Sequence, residues 1–504
     1  FVYTVLLLGA GSMAVLPIFM QAVGKGHEEA EQCISELLRF FCVVAASAIG
    51  IAIIFTPAIM ARFFVGFSGD ELSTAVFLTR IMFLSPLFLG LSGIFMSVTQ
   101  AYQRFIAYSL SGVLYNVGII FGIVAIVPAF GVRGLGFGVV LGALLHLAVQ
   151  VVVYRRLGFS LILRGSLWSG RIWEVLYLSM PRVIAHSLWH ITFAILLGFA
   201  STLSPGSIAI FQLSNNIAFL PVGIFAISYG TALFPQLSQS ALNRDGERFW
   251  EGIFFGMRTI LFWVTPIAFL LIVLRAHVIR VILGAGAFNW ADTRLAAATV
   301  AVLAFGLIAE SINTLFLRAF YSVKMTWLPL AANAIAMTGG ILSAVILTRA
   351  LERSGVFSER VYALFRITDL SGGEVIGVAM GFAAMSIIDV FIQGALLFVF
   401  VRRRFFSDAT LMSRTAFVRP VGKIFFASGI GAFVAYSALR WFSPLFPLDA
   451  FVPVFLHGLL AGAVGIFAWG VILYSMGSED FDAVMASFKK KLFSIDILPR
   501  EWNS

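Results

Sequence analysis

Charged side chains are scarce in this 504-residue chain: Asp, Glu, Lys and Arg make up 12% of it, against 60% hydrophobic residues and 52 phenylalanines. Soluble globular domains carry about 25% charged and about 45–50% apolar residues, so the shortage excludes that class. Cysteine is nearly absent. Cys33 and Cys42 stand nine residues apart in one helical region, on different faces, and lack the spacing of a metal or redox pair. Also missing are an HExxH motif, a Walker loop, a GxSxG elbow and an acid pair in any loop, so the expectation is no enzyme, no catalytic residue, no metal and no cofactor. Ten-residue stretches of alternating polarity are absent too, which excludes a membrane β-barrel and leaves helices as the spanning element.

What remains is a series of apolar runs long enough to cross about 30 Å of hydrocarbon, separated by short loops. Mean hydropathy is +1.00. The runs fall near 1–24, 37–60, 74–100, 107–129, 133–154, 174–201, 207–236, 251–274, 296–320, 327–348, 374–401, 420–441 and 451–476, which gives about thirteen transmembrane helices in an all-α polytopic membrane protein. The net charge of +10 does not point to nucleic acid, because the basic residues lie scattered at span ends. If the loop at 24–36 is cytoplasmic, the loops and tail on its side carry Lys25, Arg104, Arg155, Arg156, Arg164, Arg171, Arg244, Arg248, Arg318, Lys324, Arg402, Arg403, Arg404, Arg414, Arg419, Lys423, Lys489, Lys490, Lys491 and Arg500, and the opposite side about half as many cations. The positive-inside rule therefore places that loop and the C-terminus in the cytoplasm. The chain opens on Phe1 inside an apolar run with no charged leader, so one helix is expected upstream of it.

Two internal matches share one offset. "AVLPIFMQ" from Ala14 resembles "ALFPQLSQ" from Ala232, and "QAYQRF" around Ala101 resembles "RAFYSV" around Ala319, both 218 residues apart. A parallel duplication follows, of the kind found in secondary transporters. The expected organisation is a truncated N-terminal lobe at 1–156, a C-terminal lobe at 157–404, a helix pair at 405–476 and a cytoplasmic tail at 477–504, amphipathic with lysines near lipid heads. That makes two six-helix repeats, the first truncated, plus two C-terminal helices, or thirteen of fourteen spans.

Polar residues inside spans are the candidate functional groups. "MPRVIAHSLWHI" carries Arg182, His186 and His190 at four-residue spacing, so they share one helical face. A central arginine costs on the order of 2.5–3.5 kcal/mol on insertion scales, so the face should meet a bundle interior or a watery cavity, as an electropositive wall for an anionic substrate. The following span holds Gln212, Ser214, Asn215 and Asn216 before Pro221, as substrate contacts or as interhelical bonds. His146 with Gln150, Glu310 with Asn313, and Asp389 with Gln393 recur at helical spacing and read as helix-packing groups, with Glu310 and Asp389 as further candidates for a coupling-ion or proton site. Arg39, Arg80 and Arg258 stand near span ends, where their stems can snorkel to the surface.

"FQLSNNIAFLPVGIFAISYGTALFPQLSQSALNRDGERF", "ILGAGAFNWADTRLAAATVAVLAFGL", "LFLRAFYSVKMTWLP" and "LGFGVVLGALLHLAVQVVVYRRLGF" together resemble the MurJ/MviN family, the lipid II flippases of the multidrug/oligosaccharidyl-lipid/polysaccharide exporter superfamily. The likeness runs from Leu8 to about Arg404 and, more weakly, through the last two helices. It implies fourteen helices, two six-helix lobes around a cavity, and alternating access coupled to membrane potential. It also implies a bacterial cytoplasmic membrane and a polyprenyl-pyrophosphate-linked peptidoglycan precursor as cargo, moved from the inner to the outer leaflet by a monomer for cell wall synthesis. Beyond membrane lipids and that cargo no partner is expected.

The chain departs from the family where charge matters. Tyr3 and Leu8 stand where the resemblance leads one to expect Arg and Glu, and Asn215 and Asn216 where it leads one to expect Asp-Arg. Arg182, His186 and His190 lie on the seventh helix of the family, where it is usually apolar or amidic, and would supply the relocated positive charge. Two alternatives stay open: export of another polyprenyl-pyrophosphate-linked glycan, and a transport-inactive membrane scaffold.

Overall fold

The computed structural model describes residues 12–160, 166–284, 286, 288–353, 355–405, 414–446 and 450–493; Tyr3 and Leu8 lie outside them. Helix is the only regular secondary structure among the described residues. Two compact units divide the chain, Phe1–Thr202 and Leu203–Ser504.

The first unit comprises α1 (Ser12–Lys25), α2 (His27–Phe63), α3 (Gly69–Met82), α4 (Leu84–Ala101), α5 (Phe105–Phe121, prolonged by a π-helical turn Gly122–Ile126), α6 (Gly134–Arg156) and α7 (Gly170–Ala200). Helix α2 reaches back into what the sequence suggests is a loop. Only Gly26 separates it from α1, at φ 130°, a conformation that favours glycine. Glu28 and Glu29 sit in its first turn, where the helix dipole favours carboxylates. Buried Cys33, Leu37, Phe41, Ala45 and Ile49 then recur every four residues and form the stripe that packs inward. Its outer face, with Ile51, Ile54 and Phe55 more than half exposed, suits hydrocarbon.

Pro57 lies inside α2 and cannot donate to the carbonyl of Ile53. Arg80 Nε donates to that carbonyl at 3.1 Å. The arginine therefore completes a broken helix, a role different from snorkelling to the surface. Helix α5 meets α6 at backbone distance: a Cβ on Gly118 would lie 2.3 Å from Gly142 Cα. Small residues allow such approach, and in lipid close van der Waals packing is the main source of helix association.

Helix α7 packs along α1 and α2. Arg171 at its start pairs with Glu29, and its second terminal nitrogen stands 3.7 Å from Glu36. At the other end the Gly66 N–H donates to Ser201 Oγ at 3.3 Å, so α2 and α7 run side by side in the same direction. The repeat register groups this span with the second lobe, whereas its contacts group it with the first unit; the Arg171 pairing and the Gly66 bond are the physical reason.

The second unit begins with α8 (Ser207–Pro221), which continues through a π-helical segment Val222–Ile227 into α9 (Ser228–Leu242). Then follow α10 (Gly246–Leu283), α11 (Trp290–Ser322), α12 (Trp327–Glu352), a short α13 (Val356–Phe365), α14 (Val375–Leu396), α15 (Arg414–Phe442), α16 (Phe451–Ser475) and the tail helix α17 (Glu479–Phe493). Helix α11 is the buried axis, flanked by α8, α9, α10 and α14. The "NWADT" stretch starts it with a capping box: Asn289 Oδ1 accepts from the Asp292 N–H at 2.9 Å, and Asp292 accepts from the Asn289 N–H at 3.0 Å.

Helices α12 and α14 repeat the glycine seam, since a Cβ on Gly381 would lie 2.5 Å from Ala344 Cα. The α15/α16 hairpin lies on α10, and α17 folds back onto it through Phe481 against Trp469. Arg258 of α10 does not snorkel to the surface; it pairs with Asp480 at 2.7 Å, both side chains about 15% exposed.

Ten described helices or fused helix pairs are long and apolar enough to cross a membrane. One of them, Ser109–Arg156, covers most of α5 and all of α6, and α1 and α7 lie at two further expected spans. The protein is an all-helical multi-pass membrane protein.

Candidate functional site

The described part of each unit presents its own polar groups. On α7, positions 182, 186 and 190 belong to one unbroken helix, which places them on one face. The side chains of Arg182 and His186 lie outside the described residues. His190 is half-buried, with its ring edge-on to Trp189 at 5.1 Å, and Trp189 stacks on Phe193 at 5.2 Å.

On α8 the amide cluster divides. Gln212 and Asn216, one turn apart, are exposed. Ser214 and Asn215 turn inward: Ser214 Oγ donates to the Ala296 carbonyl of α11 at 3.1 Å, and Asn215 is 6% exposed with Oδ1 unpaired. The exposed stripe continues past Pro221 through Leu220, Ile224 and Ile227 to Thr231 of α9.

Arg318 reaches the same stripe from α11. The sequence suggests a loop cation, but the residue lies inside the helix, where its arm crosses α9 at Gly230; a Cβ there would stand 2.9 Å from Arg318 Cδ. Its guanidinium donates to Thr314 O at 2.8 Å, Thr231 Oγ1 at 3.0 Å and Ile227 O at 3.4 Å. All three acceptors are neutral. Sequence reading missed this residue, and its one available signal was the glycine on the facing helix.

Deeper in the second unit, Glu310 and Asp389 each belong to a hydrogen-bonded cluster between α14 and a neighbouring helix. Ser386 Oγ of α14 donates to Glu310 Oε2 at 3.0 Å, and Asn313 Nδ2 donates to the Ser386 carbonyl at 3.2 Å. One turn further along α14, Gln393 Nε2 donates to Asp389 Oδ2 at 2.7 Å. Asn333 of α12 also faces Asp389, with its amide nitrogen 2.9 and 3.0 Å from the two carboxylate oxygens in the orientation that satisfies both groups. Asn313 Oδ1 and Gln393 Oε1 are buried and unpaired, and no salt bridge among the described residues reaches either acid.

The repeat offset puts Ser92 of α4 where α11 has Glu310. Ser92 Oγ bonds His146 Nδ1 of α6 at 2.7 Å, and four residues on, Gln150 accepts from Thr99 Oγ1 at 3.0 Å and donates to Ser111 Oγ at 3.2 Å and Ala107 O at 3.3 Å. His146 and Gln150 are thus helix-packing groups. One architecture carries a Ser–His pair in the first unit and two carboxylates in the second.

Outside the spans, Arg294 holds Asp369 by two bonds, 2.7 and 2.6 Å, and also donates to the Arg366 carbonyl. These bonds keep the Asp369 carboxyl below the usual aspartate range and fasten the loop before α14 to the start of α11.

Comparison with known proteins places this architecture. The family model for the lipid II flippase MurJ matches residues 1–451. A "probable lipid II flippase MurJ" of Borreliella burgdorferi is 27% identical over 325 residues, 63% of this chain and 62% of that protein. This alignment therefore spans less than two thirds of the relative's length. The corresponding protein of Thermotoga maritima is 28% identical over 352 residues, 69% of this chain and 70% of that one. A lipid II flippase MurJ solved in an inward closed conformation shares the fold with a TM-score of 0.67 at 21% identity, over 94% of this chain and 92% of that one. An inward-facing MATE-family multidrug transporter does so with a TM-score of 0.61 at 13% identity, over 80% and 89%. By the match over residues 1–451, on a shared all-helical fold, the chain belongs to the MurJ family of lipid II flippases.

Proposed function

We propose that the protein moves lipid II, the lipid-linked peptidoglycan precursor, from the inner to the outer leaflet of a bacterial cytoplasmic membrane by alternating access, acting as a monomer with its C-terminus in the cytoplasm. The family match over residues 1–451 carries this reading. A pyrophosphate entering an apolar bundle needs charge-assisted donors, and a guanidinium suits it best. We assign that role to Arg182, with His186 and His190 beside it on α7 and with Gln212 and Asn216 as neutral contacts on the exposed face of α8. Asn215 backs that face from the inside. Glu310 and Asp389 are the proposed site of the coupling ion or proton, because intramembrane acids without a cationic partner are costly to keep and mark ion pathways.

The test is complementation of a flippase-depleted strain by Arg182→Ala. Loss of growth at normal abundance of the variant is expected; normal growth refutes the assignment. A second reading rests on Asn215 and Asn216, which stand where the resemblance leads one to expect charge: export of a different polyprenyl-pyrophosphate-linked glycan. Reconstituted translocation of lipid II against such a glycan separates the two.

A further inference from the structure

We propose that Arg318 is a phosphate-binding residue, the cation that receives the diphosphate of the lipid-linked cargo at the α9 end of the α8–α9 stripe; this rests on the flippase reading above. The geometry comes first. The stripe from Gln212 through Asn216, Leu220, Ile224 and Ile227 to Thr231 is exposed and carries no charge of its own. Arg318 brings the guanidinium to it from the neighbouring helix, through the gap that Gly230 leaves.

The bonding is that of a held but uncompensated cation. Three neutral oxygens fix the orientation of the group, and no carboxylate among the described residues pairs with it. Three arginines of this unit do have carboxylate partners: Arg258 pairs with Asp480, Arg294 with Asp369 and Arg248 with Asp245. A guanidinium has five N–H donors, and three bonds leave donors free. A half-buried cation without a counter-ion attracts an anion, and a fork of N–H groups fits phosphate oxygens. Along the helix axis Thr231 stands roughly 20 Å from Asn216, so Arg318 serves a separate point from the amides, at the end where the positive-inside pattern places the cytoplasm.

Phospholipid head groups offer the same chemistry, so the experiment has three arms. Purified full-length protein in nanodiscs is titrated with undecaprenyl diphosphate, undecaprenyl monophosphate and phosphatidylglycerol. Arg318→Gln should weaken the diphosphate roughly 10- to 100-fold, as expected for loss of charge-assisted bonds, with Arg318→Lys intermediate and phosphatidylglycerol unchanged. Unchanged diphosphate affinity in a variant of normal thermal stability overturns the proposal, and so does an equal loss for phosphatidylglycerol.

If Arg318→Gln does not fold, the unaltered protein supplies the answer: the diphosphate should shield Arg318 from phenylglyoxal, and absence of shielding refutes the site. Failure of the wider reading looks different. Protein that binds the diphosphate through Arg318 yet translocates no lipid II sinks the flippase assignment and keeps the site.

Discussion

Gln150 offers a quantitative test of how polar groups act inside this bundle. It is fully buried on α6, accepts one hydrogen bond and donates two, and joins α6 to α4 and α5. Gln150→Leu keeps nearly the same volume, so no large cavity opens, and the loss is chiefly three interhelical bonds. Within membranes such bonds average about 0.6 kcal/mol, which gives a loss of about 2 kcal/mol; aqueous values near 1 kcal/mol each would give about 3. The lower figure is expected because the partners are not stranded. Thr99 Oγ1 keeps a second bond to Met96 O at 3.0 Å, and the Ser111 hydroxyl can turn to its own helix. The assay is reversible unfolding in mixed detergent micelles by SDS titration, with Ser111→Ala and the double variant completing a cycle. A coupling near 0.6 kcal/mol is expected for that pair. A total loss below about 0.5 kcal/mol, or no coupling with any partner, would refute the view that Gln150 holds the three helices.

Three other outcomes are expected. Asp480→Ala leaves Arg258, about 15% exposed, with only the solvent-exposed carboxylate of Glu479 4.0 Å away, so α17 should detach at a cost of about 3 kcal/mol, seen as faster proteolysis after Gly477 and a lower melting temperature. Because the carboxyl of Asp369 is held below its ordinary value, its grip on Arg294 contributes stability that is full at neutral pH and lost only as pH falls through the lowered value; hydrogen exchange of the 366–374 loop should stay slow to about pH 4, the ordinary aspartate range, and Asp369→Asn should abolish that dependence. Gly381→Leu must push α14 away from α12, and a loss of at least about 3 kcal/mol is expected, above the usual cost of overpacking because the obstacle is backbone; a fully stable variant contradicts the seam.

The spans were legible because twenty apolar residues in a row have one physical use. Polar pairs at i and i+4, such as His146 with Gln150 and Asp389 with Gln393, could also be read as facing a neighbour. Which neighbour could not, since Ser92 and Asn333 lie on other helices and only the packing brings them together. Helix α2 ran ten residues further than hydropathy suggested, because its first turns are acidic and held by Arg171 and the helix dipole, forces that an apolar scan does not register. Arg80, Arg258 and Arg318 show the same limit. Each has a long arm that can reach water or protein, and the choice was made by a proline-broken carbonyl, a tail aspartate and a facing glycine. For the site, the exposed pair Gln212 and Asn216 stood on the expected helix, while buried Asn215 shows that adjacent amides cannot share one face of a helix.

The two glycine seams also bear on how the chain is made. Each joins successive membrane spans, α5 with α6 and α12 with α14, so each can close as a hairpin while later helices are still being synthesised. In the second hairpin this timing matters energetically. Asp389 enters the bilayer on α14 at an insertion cost of order 2.5–3.5 kcal/mol, and the donor that answers it, Asn333, is already in place on α12. Placement of Asp389 would then depend on the hairpin, and a break in the seam would be felt first as failed insertion of α14.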